Sequence, residues 1–500
     1  MELLSHLAIG LETALTLQNL LYGFLGVLLG TLIGVLPGIG PVPTIAMLLP
    51  ITYALPPVSA LIMLAGIYYG AQYGGSTTAI LVNLPGESSS VVTCIEGYQM
   101  ARKGRAGAAL AVAAIGSFIA GTCATLVIAG LATPLAEVAL KFGPAEYFSL
   151  MVLGLIAAVV LASGSLIKAI GMILLGLTLG IVGTDVNSGM QRYTFGIAEL
   201  SDGISFVALA MGVFGFAEII VNLQQTETRE VFTKSVKGLW LTRKEFKQVL
   251  APIARGTGIG SVLGILPGGG AMLSAFTSYM VEKKLAKDPS RFGKGAIEGV
   301  AGPESANNAG AQTSFIPLLT LGIPSNAVMA LMVGAMTIHS IQPGPQVMTS
   351  NPDLFWGLIV SMWLGNLMLV VLNLPLIGIW IRLLQVPYRL MYPAILLFCC
   401  IGVYSIQNNV FDVMITVVFG ALGWVFAKLE CEPAPLLLGF ILGPMMEENL
   451  RRALLLSRGD PSVFVTRPIS AVMLAMALGM LVIIVAPAIR NKRETAFQEA

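Results

Sequence analysis

Eleven residues near the start of the chain return in its second half. Residues 30–40 read GTLIGVLPGIG and residues 260–270 read GSVLGILPGGG; six positions are identical and four of the other five are conservative exchanges. Proline removes a backbone donor and clashes with the preceding helical turn, while glycine tolerates the torsions that follow. Each copy lies within apolar sequence, so each marks a helix broken where lipid would leave its polar backbone groups unpaired. Such a break persists only if it is buried in protein or faces a polar cavity. A second echo supports the duplication: Gly70-Ala71-Gln72 recurs as Gly310-Ala311-Gln312, and each is followed by a further break, at Pro85 and Pro324. Paired breaks of this kind point to a membrane protein with a site at the interface of two repeats.

Composition agrees. The chain of 500 residues is 56% hydrophobic and 11% charged, whereas soluble domains carry about a quarter charged residues. The expected fold is an all-α polytopic membrane protein with about 10–12 transmembrane segments. A net charge of +2 offers no field for nucleic acid. The five cysteines (Cys94, Cys123, Cys399, Cys400, Cys431) form no CxxC pair and read as buried thiols. The N-terminus MELLSHLAIGLE lacks Lys and Arg, so no cleavable signal peptide is expected.

Apolar segments fall in two sets, one between 17 and 222 and one between 251 and 489. Between them runs 222–255, with seven basic and three acidic residues. We therefore expect a first membrane repeat over 1–222, a basic linker over 223–250 and a second repeat over 251–500. By the positive-inside rule the linker is cytoplasmic, as are Arg102-Lys103-Gly104-Arg105 and Arg490-Asn491-Lys492-Arg493.

One conflict is informative. Lys283, Lys284, Lys287, Arg291 and Lys294 would face outside if 251–281 crossed the membrane once. A re-entrant hairpin with its tip at Pro267-Gly268-Gly269-Gly270 removes the conflict. Each arm would then have about 13–16 residues, or about 20–24 Å, short of an apolar core of about 30 Å. The same construction fits 19–54, with its tip at Pro37-Gly38-Ile39-Gly40-Pro41. The breaks at Leu84-Pro85-Gly86 and Ile323-Pro324-Ser325 admit it too. If 76–95 crosses fully, the two repeats are inverted, and that is the expectation adopted; if it is re-entrant, span counting makes them parallel.

The glycine ladders Gly26/Gly30/Gly34 and Gly256/Gly260/Gly264 read as close helix crossings. The tips read differently. Freed N–H groups at a helix N-terminus attract an anion, and freed carbonyls can hold a cation such as Na⁺. Candidate binding residues at the first tip are Pro37, Gly38 and Gly40, and at the second Pro267, Gly268, Gly269 and Gly270. Beside the first lie Gln72, Ser76, Thr77 and Thr78, then Asn83, Pro85 and Gly86. Beside the second lie Asn307, Asn308, Gln312, Thr313 and Ser314, then Pro324, Ser325 and Asn326. These amides and hydroxyls are expensive in lipid, so they should face a cavity or one another. Interhelical hydrogen bonding is the plainer use of any single Ser or Thr. Glu87 and Glu304 are candidates to carry a proton or hold a coupling cation. Asp185, Asp202 and Glu218 read as bordering spans, His339 as structural, and Glu447-Glu448 with Arg451-Arg452 as a solvated helix end. No metal beyond Na⁺ and no organic cofactor is called for.

The paired LPGxG breaks, GAQYGGSTTAILVNLPGE and GPESANNAGAQTSFIPLLTLGIPSNA together resemble the large membrane (permease) subunit of the tripartite tricarboxylate transporter family. The resemblance covers nearly the whole chain. It implies a multi-pass protein of the bacterial cytoplasmic (inner) membrane. It also implies two partners, a small four-helix membrane subunit and a periplasmic solute-binding protein that captures a carboxylate. Uptake would be driven by a Na⁺ or H⁺ gradient, a choice the residues leave open. The competing function is an anion channel lined by the same tips, or a carboxylate transporter without a binding protein. An intramembrane enzyme is disfavoured, since HExxH, GxSxG and paired catalytic aspartates are absent.

Overall fold

The computed structural model describes residues 2–36, 40–161, 165–185, 188–224, 238–266, 270–384 and 388–485. Pro37, Gly38, Pro267, Gly268, Gly269 and linker residues 225–237 lie outside the described residues. The first half contains α1 (Glu2–Ala14), α2 (Leu17–Val35), α3 (Pro41–Thr52), α4 (Pro57–Val82), α5 (Ala106–Ala139), α6 (Pro144–Leu161) and α7 (Leu166–Gly180), then α8 over 206–224 with a π-helical middle turn. The second contains α9 (Arg243–Leu263), α10 (Gly270–Leu285), α11 (Glu298–Thr313), α12 (Phe315–Leu321), α13 (Ala327–Ile338), α14 (Pro352–Asn373), α15 (Tyr388–Gln407), α16 (Val410–Lys428), α17 (Ala434–Leu456) and α18 (Pro468–Val485). The described strands are two two-residue pieces, Gly183–Thr184 and Gln191–Arg192. Leu17–Val35, Ala106–Val138, Pro352–Asn373 and Val410–Lys428 are long and apolar enough to cross a membrane, with several shorter apolar helices beside them. This is the expected all-helical membrane chain.

The breaks at 83–87 and 322–326 are present, and helices stop at Val35 and at Leu263 ahead of the other two motifs, whose residues 37–39 and 267–269 lie outside the described residues. One arm differs from expectation. The helix before the second tip begins inside the basic linker, at Arg243, because Thr242 and Glu245 form a capping box that starts it there.

The glycine ladders fix the course of the chain. A Cβ built on Gly26, Gly30 or Gly34 would fall within 3 Å of the carbonyls of Met63, Ile67 and Ala71 respectively. Both indices rise together, so α2 and α4 are parallel. Their starts are tied by Ser59 Oγ donating to Asn19 Oδ1 at 2.6 Å. Parallel neighbours need the chain to come back between them, and α3 is that return. Its 12 residues cover about 18 Å at about 1.5 Å each. The second copy repeats the construction. Gly256, Gly260 and Gly264 press on the carbonyls of Gly302, Ala306 and Gly310, so α9 and α11 are parallel and α10 is the return. Arg255 clamps the arms with Nε–Oε1 of 2.8 Å and Nη2–Oε2 of 2.6 Å to Glu282. In lipid no hydrophobic force separates helix from lipid tail, so backbone approach through small residues supplies the packing energy.

The two modules run against each other. Tyr68 and Tyr69 of α4 lie 6.4 and 6.3 Å from the Phe315 ring, whereas Ser76, further along α4, bonds Glu304, further back on α11. One index rises as the other falls, so α4 is antiparallel to α11 and α12. Both central helices are buried along almost their whole length.

The basic segments gather on one face. Lys103 Nζ donates to the Lys294 carbonyl at 2.5 Å, and Arg105 pairs with Glu245 at 2.8 Å. The loop at 282–294 thus sits with 102–105 and the start of α9. Two smaller expectations need correction. Cys399 is buried, but Cys94, Cys400 and Cys431 are half-buried and Cys123 is exposed on the apolar helix α5. The helix end at Glu447 is more than local i,i+4 pairs: Arg192 and Arg451 both pair with Asp185 and with Glu447. Pairing across 185–192 makes it a tertiary network that no local spacing could show.

Candidate functional site

The tips converge on one cavity of about 510 Å³. It is bounded by the first turns of four helices: Gly40 to Pro43 at α3, Gly270 to Met272 at α10, Ala327 and Val328 at α13, and Pro433 to Pro435 at α17. Gly40 and Gly270 end the two copies of the repeated motif, and both have positive φ (+60° and +47°), which only glycine adopts without strain. Local chemistry places each end. Proline at the first position of α3 pre-sets its torsion. At α13, Asn326 is the N-cap and its Oδ1 accepts from the Met329 N–H at 3.0 Å.

Side chains complete the wall. Tyr68, Gln72, Pro85, Gly86, Glu87 and Asn326 line the cavity. The Tyr68 hydroxyl lies among Gln72, Ser314 and Asn326. Ser89 Oγ stands 2.5 Å from Glu87 Oε1 and 3.1 Å from Gln72 Oε1, and Asn307 Nδ2 donates to Glu87 Oε1 at 3.1 Å. The charged side chains on the described wall are Glu87, Glu218 and Glu432, with no Lys, Arg or His among them. Positive potential comes instead from backbone N–H groups. A helix N-terminus carries about half an elementary positive charge, and such ends bind anions.

The sequence candidates divide into groups. Gly40, Gln72, Pro85, Gly86, Glu87, Gly270 and Asn326 border the large cavity. Ser76, Thr77 and Glu304 instead line a small cavity of about 10 Å³. There Ser76 Oγ donates to Glu304 Oε2 at 2.6 Å and Thr93 Oγ1 donates to Glu304 Oε1. Asn308 reaches Ser117 Oγ at 2.6 Å on α5. Gln312 is buried with its Oε1 unpartnered. Thr78, Thr313 and Ser314 bond the carbonyls of Val35, Gly260 and Gly264, so they brace the glycine seams. Ser325 Oγ donates to the Ser314 carbonyl, and Asn326 Nδ2 to Ser314 Oγ at 3.1 Å. Pro324 is buried in the same bend, while Asn83 is an exposed left-handed helix end (φ 61°) outside either cavity.

Some participants were not singled out from sequence. Tyr68 and the turn at Pro433-Ala434-Pro435 border the large cavity. Ser117 and Asn373 line the small one beside Tyr73, which belongs to the polar stretch at 72–78. Glu96, fully buried, receives N–H groups from Gly293, Gly295 (2.6 Å) and Ala296 (2.8 Å) and the Tyr279 hydroxyl at 2.9 Å. It ties the segment after the first module to the loop that begins α11. A lone Glu in VVTCIEGYQM was the available signal, since an unpaired carboxylate in apolar sequence must find donors.

A family model described as the Tripartite tricarboxylate transporter TctA family matches residues 20–438. The chain is 62% identical over 499 residues to the uncharacterized 52.8 kDa protein in TAR-I ttuC' 3'region of Agrobacterium vitis, covering 100% of this chain and 99% of that one. It is also 62% identical over 240 residues to the uncharacterized protein in TAR-II ttuC' 3'region of the same organism, covering 48% of this chain and 99% of the relative. No solved structure matches.

Proposed function

The chain belongs to the Tripartite tricarboxylate transporter TctA family, the large membrane subunit of these systems, and from that membership we propose that it is the permease of a cation-coupled importer of di- or tricarboxylates or related organic anions. It works in the bacterial inner membrane with a small four-helix subunit and a periplasmic binding protein. The two hairpins are re-entrant, they enter from opposite faces as inverted repeats, and their tips hold the substrate at mid-membrane. One observation supports this reading above the others: four helix N-termini surround a cavity that has room for a small polyacid and, among the described residues, no basic side chain on its wall.

The charge balance supplies the coupling. Dipoles and neutral amides bind an anion without the grip of a full ion pair, so it can leave again. Glu87 on the same wall repels a carboxylate unless a Na⁺ ion or a proton accompanies it. An empty site with an ionised Glu87 therefore disfavours the anion alone and favours anion plus cation together. Movement of a transport unit past a scaffold, as in elevator carriers, would then carry both.

The test is counterflow and gradient-driven uptake of a carboxylate panel, citrate and smaller diacids included. The chain is placed in proteoliposomes with its small subunit and binding protein. We expect accumulation against the substrate gradient only when a Na⁺ or H⁺ gradient is imposed. Equilibration without accumulation would make the protein an anion channel, and accumulation without the binding protein would make it a stand-alone carrier.

A further inference from the structure

We propose that the small cavity at Glu304 is a binding site for one dehydrated monovalent cation, Na⁺ by size, separate from the large cavity. The inference deepens the carrier reading and rests on it for the role of the cation, though not for its binding. The cavity of about 10 Å³ is lined by Tyr73, Ser76 and Thr77 of α4, Ser117 of α5, Glu304 of α11 and Asn373 of α14. Such a volume takes one water or one bare ion.

Three observations point to a cation. First, Glu304 is 1% exposed and none of the described ion pairs includes it. Hydroxyls of Ser76 and Thr93 already donate to both carboxylate oxygens, which suits the ionised form. A buried carboxylate without a counter-charge is among the costliest groups a membrane protein can hold. Second, two further oxygens at the cavity lack partners. Asn373, 4% exposed, spends Nδ2 on the Leu369 carbonyl at 3.0 Å and leaves Oδ1 bare. The hydroxyl of Tyr73, also 4% exposed, is unpartnered. Third, the hydroxyls of Ser76 and Thr77 donate away, to Glu304 and to the Tyr73 carbonyl, so their lone pairs remain available. One cation would complete all of these groups at once. A proton on Glu304 would supply a single donor and leave either the amide or the phenol oxygen unmatched.

The position links the site to the large cavity. Ser76 follows Gln72 by one turn on α4, and Glu304 precedes Asn307, which bonds Glu87, by one turn on α11. A cation here would join the antiparallel modules where they cross.

The experiment measures the unfolding midpoint of the purified full-length protein without substrate. NaCl is titrated at fixed pH, with choline chloride holding ionic strength. The wild type should be stabilised progressively by Na⁺. Asn373→Ala and Ser76→Ala should raise the half-saturating Na⁺ concentration about tenfold or more, while Gly258→Ala, in open space on α9, leaves it unchanged. A Na⁺ response in Asn373→Ala equal to wild type overturns the site. So does a midpoint that answers to pH through Glu304 and not to Na⁺. Should Asn373→Ala fail to fold, Asn373→Asp decides: it keeps an oxygen in place and adds charge, so Na⁺ should bind more tightly, and an unchanged affinity rejects the proposal. Because no carboxylate is present, failure here leaves the substrate reading standing. Loss of carboxylate uptake with intact Na⁺ binding would strike only the latter.

Discussion

The hairpin α2–α3 and the hairpin α9–α10 share a seam and a tip residue but differ at the base and in the donors they present. In both, three glycines four residues apart press on the carbonyls of a parallel helix, and a positive-φ glycine opens the return. At the base, the neutral Asn19–Ser59 bond ties α2 to α4, whereas the Arg255–Glu282 ion pair ties α9 to α10 beside a lysine-rich loop. At the tip, Pro41 and Pro43 strip two N–H donors from the first turn of α3, whereas Gly270, Ala271, Met272 and Leu273 keep all theirs. The difference separates what the duplicated sequence must preserve from what it is free to change. Seam and tip set the geometry. On the proposed function, the base would record the face from which each hairpin enters, and the donor count would make the second tip the stronger anion site.

The largest expected effect is at the seams. Gly30→Leu and Gly260→Leu should each prevent accumulation of folded protein, since overpacking costs about 1–3 kcal/mol or more and the clash is with backbone. Gly258→Ala, with open space around it on the same helix, should leave the unfolding midpoint unchanged. Equal tolerance at 258 and 260 would dissolve the seam.

Next come the tips. Asn326→Leu should abolish carboxylate uptake while membrane insertion, read by quantitative blotting, stays normal. Gly270→Ala should weaken uptake more than Gly40→Ala, because both strain the backbone but only the former disturbs a full set of donors. The reverse ranking in proteoliposome KM values would remove the asymmetry between the tips.

The clamp is smaller. Arg255→Ala strands a Glu282 side chain that is only 2% exposed. The loss should be about 1–3 kcal/mol, less than for a fully buried pair because Arg255 is partly solvated. The double substitution with Glu282→Ala should recover part of it in a thermal-shift cycle; strict additivity would deny the pairing. Smallest is Glu448→Gln, which removes an exposed i,i+4 partner of Arg452. Its effect should stay within about 0.5 kcal/mol.

Much of this arrangement is legible in sequence because breakers act locally. At the described breaks, α4 and α12 stop at left-handed Asn83 and Gly322 just ahead of Pro85 and Pro324, which cannot continue a helix, and the lysines at 283–294 carry side information independent of folding. The amides near the breaks announce a polar interior, but their division does not follow from spacing. Gln72 and Ser76 are one turn apart on α4, yet one borders the large cavity and the other the small one. Thr78, Thr313 and Ser314 look like ligands, and their hydroxyls also bond carbonyls across the glycine seams. Asn373 and Ser117 resemble ordinary polar residues of apolar helices until α4, α5, α11 and α14 pack together. Glu96 finds its donors some 200 residues away, a distance across which only the fold can act.

Inverted repeats require the two hairpins to enter the membrane from opposite faces. Replacing the native cysteines and placing single cysteines at Tyr53 and Lys287, both exposed at hairpin bases, allows labelling with a membrane-impermeant maleimide on intact spheroplasts. We predict that the cysteine at 53 reacts from outside, and that the one at 287 reacts only after permeabilisation. Both cysteines reacting from the same side would contradict the inverted hairpins and with them the shared cavity as a mid-membrane site.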